Sequence, residues 1–94
     1  MSRIRVIVAD DHTILREGVV SLLLASGEID VLGQAADGVS ALDLAIRYRP
    51  DVLVVDLSMP RLNGIEVVRR LSTELPDTRV LVLTMHTEEE YVLH

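Results

Sequence analysis

Acidic residues follow two apolar segments that have the composition of buried strands. Asp10 and Asp11 come directly after the apolar run at 6–9, and Asp56 comes directly after the run at 52–55. Short runs rich in valine and isoleucine are typical of parallel strands buried on both faces. Since ligands of open parallel sheets bind outside the carboxyl ends of the strands, we expect the carboxylates to meet there. Carboxylates that meet repel one another and need a cation to compensate their charge. Mg²⁺ prefers one or two carboxylates together with phosphate oxygens, so the pattern predicts a Mg²⁺ site for phosphate chemistry.

The composition describes one small domain with an aliphatic core. The 94 residues are 49% hydrophobic, but they include no phenylalanine, no tryptophan and only two tyrosines. A net charge of −6 argues against binding of nucleic acid by this segment, because phosphate backbones are bound by clustered lysine and arginine. The absence of cysteine excludes disulfides and thiolate chemistry.

The apolar runs are too short for a membrane span or a signal peptide. The acidic pair Asp10-Asp11 interrupts the first run, and no run approaches the ~18 apolar residues that a span requires. We therefore expect a cytoplasmic domain without a membrane partner.

Strand and helix patterns alternate along the chain, which predicts an α/β fold around a parallel sheet. We predict strands at about 5–9, 29–35, within 51–57, and at 79–84. Helices are predicted from Thr13, as the N-cap, to Gly27, from Asp37-Gly38 to Arg49-Pro50, over 65–74, and from about 88. The predicted buried faces are Leu15, Val19, Leu22 and Leu23 on the first helix, Val39, Leu42, Ala45 and Ile46 on the second, and Ile65, Val68, Leu71 and Leu75 on the third.

Three motifs place polar side chains at these strand ends: Asp10-Asp11-His12, Asp56 with Met59-Pro60 and Asn63-Gly64, and Leu83-Thr84-Met85-His86. In this combination the chain resembles the receiver domain of two-component response regulators, and in particular the NarL/FixJ (LuxR-type) subfamily. The resemblance covers residues 1–94 and implies a CheY-like, flavodoxin-like doubly wound sheet with strand order 2-1-3-4. It also implies that a complete receiver continues into a fifth strand and fifth helix, and that the full-length protein carries a C-terminal helix-turn-helix output domain.

The resemblance further implies how the acidic residues act. Asp56 would accept a phosphoryl group from a phosphohistidine on a sensor histidine kinase. Mg²⁺ would be held by Asp10, Asp11, Asp56 and the backbone carbonyl of Ser58, with Asp11 the more direct ligand of the acidic pair. The domain would catalyse its own phosphorylation and dephosphorylation without being a turnover enzyme.

Other roles also come from the resemblance. Thr84 would hydrogen-bond the phosphoryl group and act as the switch, and Ser58, Met85 and His86 would tune the chemistry. We expect Met85 to screen the acyl phosphate from water. The family's catalytic lysine lies on the fifth strand, and this chain contains no lysine. Kinase specificity would lie around Arg16, Glu17 and Val20; a homodimer is possible, and DNA would be bound only through the output domain.

Two alternatives compete with this interpretation. A Mg²⁺-dependent phosphatase with an aspartyl nucleophile would place a second acid two residues after Asp56, where this chain has Ser58. A degenerate receiver would act as a phosphorylation-independent interaction module; the acidic residues argue against it, and the missing lysine leaves it open. His12 could be a metal ligand or a base, but we favour a role in the entry to the first helix.

Overall fold

Four parallel strands form the sheet that the apolar runs predict. The computed structural model describes residues 3–56, 59, 61 and 63–83. The strands are β1 (Ile4–Ala9), β2 (Ile29–Ala35), β3 (Val52–Asp56) and β4 (Arg79–Leu83), and their order in the sheet is β2-β1-β3-β4. The predicted α/β class and the order 2-1-3-4 are therefore confirmed. The predicted fourth helix and residue 84 lie outside the described residues.

The strand order reverses between β1 and β3, which are neighbours in the sheet. Ala9 is aligned with Val55 in the parallel register of these strands. Asp10 and Asp56 each come one residue later, so the register brings them to the same carboxyl edge. This is the switch point at which doubly wound sheets bind their ligands.

Two of the three helices begin after a residue whose side chain caps the first turn. They are α1 (Thr13–Ala25), α2 (Gly38–Tyr48) and α3 (Gly64–Glu74). The Asp37 carboxylate accepts a hydrogen bond from the Ser40 amide at 2.8 Å, and the Asn63 side chain accepts one from the Glu66 amide at 2.9 Å. These contacts satisfy amides that the first turn of a helix leaves unpaired.

The prediction of Thr13 as the N-cap of α1 is wrong. His12 occupies the cap position with an extended backbone, and its side chain makes no capping hydrogen bond. Its amide instead donates to Oδ1 of Asp10 at 2.8 Å. The chain therefore turns into α1 one residue earlier than the threonine pattern indicates, with the Asp10 carboxylate bonded to the His12 amide at the helix entry.

Alternate residues of the central strands pack against different helices. Ile7, Leu53 and Val55 belong to a buried cluster that α2 and α3 cover, with Val67 and Leu71 among its members. On the opposite face, Val6, Val8 and Val54 form a smaller cluster with Val20 of α1. Because successive side chains of a strand point to opposite faces, the continuous valine-rich runs fill both layers.

The buried faces of the helices differ in part from the prediction. Leu22, Ile46 and Ile65 are exposed, at 76%, 43% and 57% of their surface. The buried hydrophobic side chains of these helices that the prediction left out are Val20, Ala41 and Val67. The residues that are buried fully or in part as predicted are Leu15, Val19, Leu23, Val39, Leu42, Ala45, Val68, Leu71 and Leu75.

This difference has a geometric cause. A shift of one position turns a side chain by about 100° around the helix axis, so a stripe drawn through the largest residues can miss the packed one. Helix α2 places Ala41 and Ala45, both at 0% exposure, toward the core. Their small side chains permit close approach of the backbone, whereas the bulkier Ile46 lies at the margin. Among the described residues, no helix is long and apolar enough to cross a membrane.

The corrected face of α3 predicts unequal effects of two similar substitutions. Leu71→Ala should lower the free energy of unfolding by about 2–5 kcal/mol, because it empties a site in the core. Ile65→Ala removes a similar aliphatic side chain from the same helix, but from solvent, and should change it by less than about 0.5 kcal/mol. Urea unfolding followed by circular dichroism measures both. Equal losses would contradict the observed orientation of α3.

Candidate functional site

The acidic residues of the first and third strand ends form one cluster. One ligand atom from each of Asp10, Asp11, His12 and Asp56 lies within 4.8 Å of the others. Asp10 and Asp56 are almost fully buried, at 0% and 1% exposure. Asp11 and His12 are exposed and form the solvent side of the cluster. The structure thus brings together the three carboxylates that the sequence predicts.

The His12 ring lies among the carboxylates, which the sequence interpretation did not anticipate. Its Nδ1 is 2.8 Å from Oδ1 of Asp10, 3.0 Å from Oδ1 of Asp11 and 3.7 Å from Oδ2 of Asp56. The favoured role in the helix entry is correct for the backbone but incomplete for the side chain. The signal in the sequence was the position of a histidine directly after an acidic pair.

These contacts favour the protonated imidazole. The hydrogen bond to Asp10 is the largest cause that raises the pKa of His12 above 6.5, and the charges of Asp11, Asp10 and Asp56 act in the same direction. Partial desolvation of the ring opposes them and lowers the pKa. A proton on the ring would add positive charge to the cluster.

The carboxylates also fit a hard divalent cation. Oδ2 of Asp10 is buried and has no hydrogen-bond partner among the described residues. A buried carboxylate oxygen without a donor is costly unless a cation compensates it. Magnesium prefers oxygen ligands, whereas imidazole suits transition metals better. Asp10, Asp11 and Asp56 are thus suitable ligands for Mg²⁺, and such an ion and the His12 ring would compete for the same oxygens.

The segment after Asp56 is held at three described positions. Met59 is buried in the cluster beneath α2 and α3, and Asn63 caps α3. Arg61 has a positive φ of 70°, and its Nη1 lies 3.3 Å from Oδ2 of Asp37. The hydrogen bond from the Ser40 backbone, with a smaller contribution from the Arg61 charge, lowers the pKa of Asp37. The predicted site residues Ser58, Thr84, Met85 and His86 lie outside the described residues.

A separate cavity of about 180 Å³ lies at the amino ends of β3 and β4. It is lined by Arg49, Pro50, Asp51, Glu74, Leu75, Pro76, Asp77 and Thr78. The acidic cluster lies beyond the opposite ends of the strands, where a ligand can reach several converging carboxylates. We therefore assign the chemistry to the cluster and not to the cavity.

The family of the chain follows from the match of its sequence. Residues 6–94 match the profile of the response regulator receiver domain. The chain belongs to this family. The predicted resemblance is therefore confirmed, and the acidic cluster is part of a receiver domain.

Relatives of this receiver domain include named regulators. The transcriptional regulatory protein DegU of Brevibacillus brevis is 41% identical over 93 residues, which are 99% of this chain and 39% of DegU. The oxygen regulatory protein NreC of Staphylococcus epidermidis is 41% identical over 91 residues, which are 96% of this chain and 42% of NreC. The chain thus spans about two-fifths of the length of these curated relatives.

A solved receiver domain has the same fold. The signal receiver domain of the response regulator NarL from Mycobacterium tuberculosis is 42% identical and superposes with a TM-score of 0.88. The match covers 99% of this chain and 75% of that one. This likeness confirms the flavodoxin-like fold class and the resemblance to NarL-type regulators.

The position of His12 predicts its titration. In the metal-free receiver, the pKa of the ring should lie above 6.5, and Asp10→Asn should lower it by removing the charge of its nearest partner. Because the folded value is raised, the contact stabilises the domain fully below the unfolded pKa, and this contribution is lost as pH rises through the folded pKa. NMR titration of the ring measures the shift; a midpoint at or below 6.5 would contradict it.

The backbone of Arg61 predicts a preference for glycine over alanine. Both Arg61→Gly and Arg61→Ala remove the contact with Asp37, but only glycine adopts a positive φ without steric cost. The glycine variant should therefore be more stable than the alanine variant by about 1 kcal/mol. Urea unfolding of the two variants provides the comparison, and an alanine variant of equal or greater stability would refute the left-handed conformation.

Proposed function

We propose that this receiver domain accepts a phosphoryl group on Asp56 from the phosphohistidine of a sensor histidine kinase. Mg²⁺ is held by Asp10, Asp11, Asp56 and the backbone carbonyl of Ser58. The observation that carries this proposal is the convergence of three carboxylates at the switch point, with Asp10 and Asp56 buried at adjacent strand ends. The family and the fold support it, because receiver domains are signalling modules.

The chemistry follows from the properties of a carboxylate nucleophile. An oxygen of Asp56 attacks the phosphorus, the P–N bond to the donor imidazole breaks, and the nitrogen that leaves takes up a proton. The product is an aspartyl phosphate. Because the transferring group carries its charge on the equatorial oxygens, catalysis consists mainly of positioning and of neutralising charge. When bound, Mg²⁺ supplies that neutralising charge.

The environment of Asp56 suits this role. Its position at the end of β3, between β1 and β4, fixes the carboxylate on a rigid element, and an oriented reactant lowers the entropic cost of transfer. Asp11 and His12 are exposed, so the cluster opens to solvent on their side. A phosphohistidine of a partner can approach from there, whereas Asp10 closes the cluster from the protein side.

The remaining residues of the site retain their predicted roles in this proposal. Thr84 hydrogen-bonds the phosphoryl group and couples it to the output surface. Ser58, Met85 and His86 flank the group, and Met85 screens the acyl phosphate from water. The chain itself contains no lysine that could pair with the phosphoryl oxygens.

The activity of the whole protein is likewise a proposal. Among the relatives, DegU is a transcriptional regulatory protein and NreC is an oxygen regulatory protein. We infer that the longer protein controls transcription in the cytoplasm through a DNA-binding output domain, as a homodimer, without a membrane partner. The receiver catalyses only its own phosphorylation and dephosphorylation.

A small acyl phosphate with Mg²⁺ tests the phosphoacceptor. The wild-type chain should gain the mass of one phosphoryl group, and Asp56→Asn should abolish the gain because the amide is not a nucleophile for phosphorus. Asp43→Asn is the matched control, since Asp43 is exposed on α2, and it should leave the gain unchanged. Removal of Mg²⁺ with a chelator should suppress phosphorylation of the wild type. Intact-mass spectrometry measures all of these.

A gain that persists in Asp56→Asn would refute Asp56 as the acceptor. If the wild-type chain gains no phosphoryl group, the same test on a chain extended through the fifth strand decides between two explanations. Recovery would show that phosphorylation depends on the fifth strand, on which the family resemblance predicts a catalytic lysine. Continued absence of phosphorylation would favour the phosphorylation-independent interaction module.

A further inference from the structure

Arg16 of α1 reaches back to the residue at which the acidic cluster begins. Its Nη1 donates a hydrogen bond of 2.6 Å to the backbone carbonyl of Asp10. Its Nε donates to Oε1 of Gln34 on β2 at 3.2 Å, and its own amide donates to the carbonyl of His12 at 2.8 Å. The side chain is therefore directed toward the β1–α1 connection and is held by two separate acceptors.

The expected role of the surrounding α1 residues changes accordingly. Kinase specificity was predicted around Arg16, Glu17 and Val20; of these, Val20 is buried against Val6, Val8 and Val54. The guanidinium of Arg16 is engaged with Asp10 and Gln34, in a part-buried contact at the carbonyl. A role within the domain accounts for these contacts, whereas a partner surface does not.

The position of the Asp10 carbonyl affects the geometry of the acidic cluster. The Asp10 amide donates to the carbonyl of Ala35 at 3.0 Å, which extends the ladder between β1 and β2 by one bond. The carbonyl on the other side of Asp10 belongs to the peptide that leads into Asp11. Because a peptide is planar, fixing this carbonyl also fixes the direction in which Asp11 leaves the strand. The hydrogen bond is charge-assisted, which makes it one of the stronger kinds.

We propose that Arg16 is a positioning residue for the metal site, which orients the Asp10–Asp11 peptide and with it both carboxylates. This inference rests on the proposed Mg²⁺ site. Gln34 acts through Arg16, since it holds the Nε of the same guanidinium. Residues that orient metal ligands typically change metal affinity by about 10–100-fold when they are replaced.

Two effects of Arg16 on Mg²⁺ have opposite signs, and this makes the proposal testable. The positive charge of Arg16 repels a cation, so an effect of charge alone would make Mg²⁺ bind more tightly after removal of the guanidinium. Loss of the peptide orientation would instead weaken binding. We expect orientation to prevail, because the guanidinium acts on the ligand-bearing peptide directly, whereas solvent and salt screen a charge at the margin of the site.

The test is a titration of the wild-type chain and its variants with Mg²⁺, followed by calorimetry or NMR. Arg16→Gln should weaken Mg²⁺ binding by about 10-fold. Arg16→Lys keeps the charge but loses the guanidinium that bonds Gln34 and the Asp10 carbonyl together, and it should also weaken Mg²⁺ binding. Arg47→Gln removes the same charge from an exposed position in the last turn of α2 and should leave affinity unchanged or slightly higher. Circular dichroism and unfolding curves establish that each variant is folded.

Equal or tighter binding by Arg16→Gln would overturn the proposal, and so would wild-type affinity in Arg16→Lys. A metal-free measurement separates this inference from the proposed function. Arg16→Gln should shift the NMR resonance of the Asp10 carbonyl carbon. It should also speed hydrogen exchange at the His12 amide, which donates a hydrogen bond of 2.8 Å to Oδ1 of Asp10. If the wild type binds no Mg²⁺, the proposed function fails, and unchanged resonances and exchange would independently refute the role of Arg16.

Discussion

Repulsion between carboxylates is the constraint on which the site depends. Asp10 and Asp56 are buried at neighbouring strand ends, and Asp11 adds a third negative charge at their solvent side. Two unit charges 4 Å apart interact by roughly 4 kcal/mol at an effective dielectric constant of 20. Nearby positive charge would stabilise such an arrangement of ionised carboxylates. A protonated His12 ring would provide one source, and a hard divalent cation such as Mg²⁺ would suit the oxygen ligands.

The two-layered packing of the sheet keeps these charges in place. Strands β1 and β3 carry apolar side chains on both faces, so neither can move without disturbing α1 on one side or α2 and α3 on the other. A close-packed core has little room to relax. The carboxylates of Asp10 and Asp56 are therefore fixed at the ends of rigid strands, whereas the exposed Asp11 and His12 lie where the chain turns into α1. The cluster is thus open to solvent only on the side of Asp11 and His12 among its four residues.

The sequence predicts the strands and their acidic ends well because each depends on local composition. A valine-rich run that stops at an aspartate indicates both a buried strand and its carboxyl edge, and the parallel order then brings Asp10 and Asp56 together. The helix faces were less predictable, as the exposed Ile46 and Ile65 illustrate. Which side chains of a helix are buried depends on how the helix packs on the sheet, and this is not visible in the helix sequence alone. The contacts of the His12 ring were less predictable, because Asp56 comes near the ring only in the folded chain.

The contacts of Arg16 illustrate how a polar side chain can serve both the fold and the chemistry. The guanidinium contacts a carbonyl at the end of β1 and a side chain on β2, so it joins α1 to both strands. A long-range pairing of this kind leaves no periodic trace in the sequence. The bond from Nη1 to the Asp10 carbonyl holds the peptide between the two acids at the entry to α1. Stability of the β1–α1 connection and geometry of the cation site are therefore coupled through a single guanidinium.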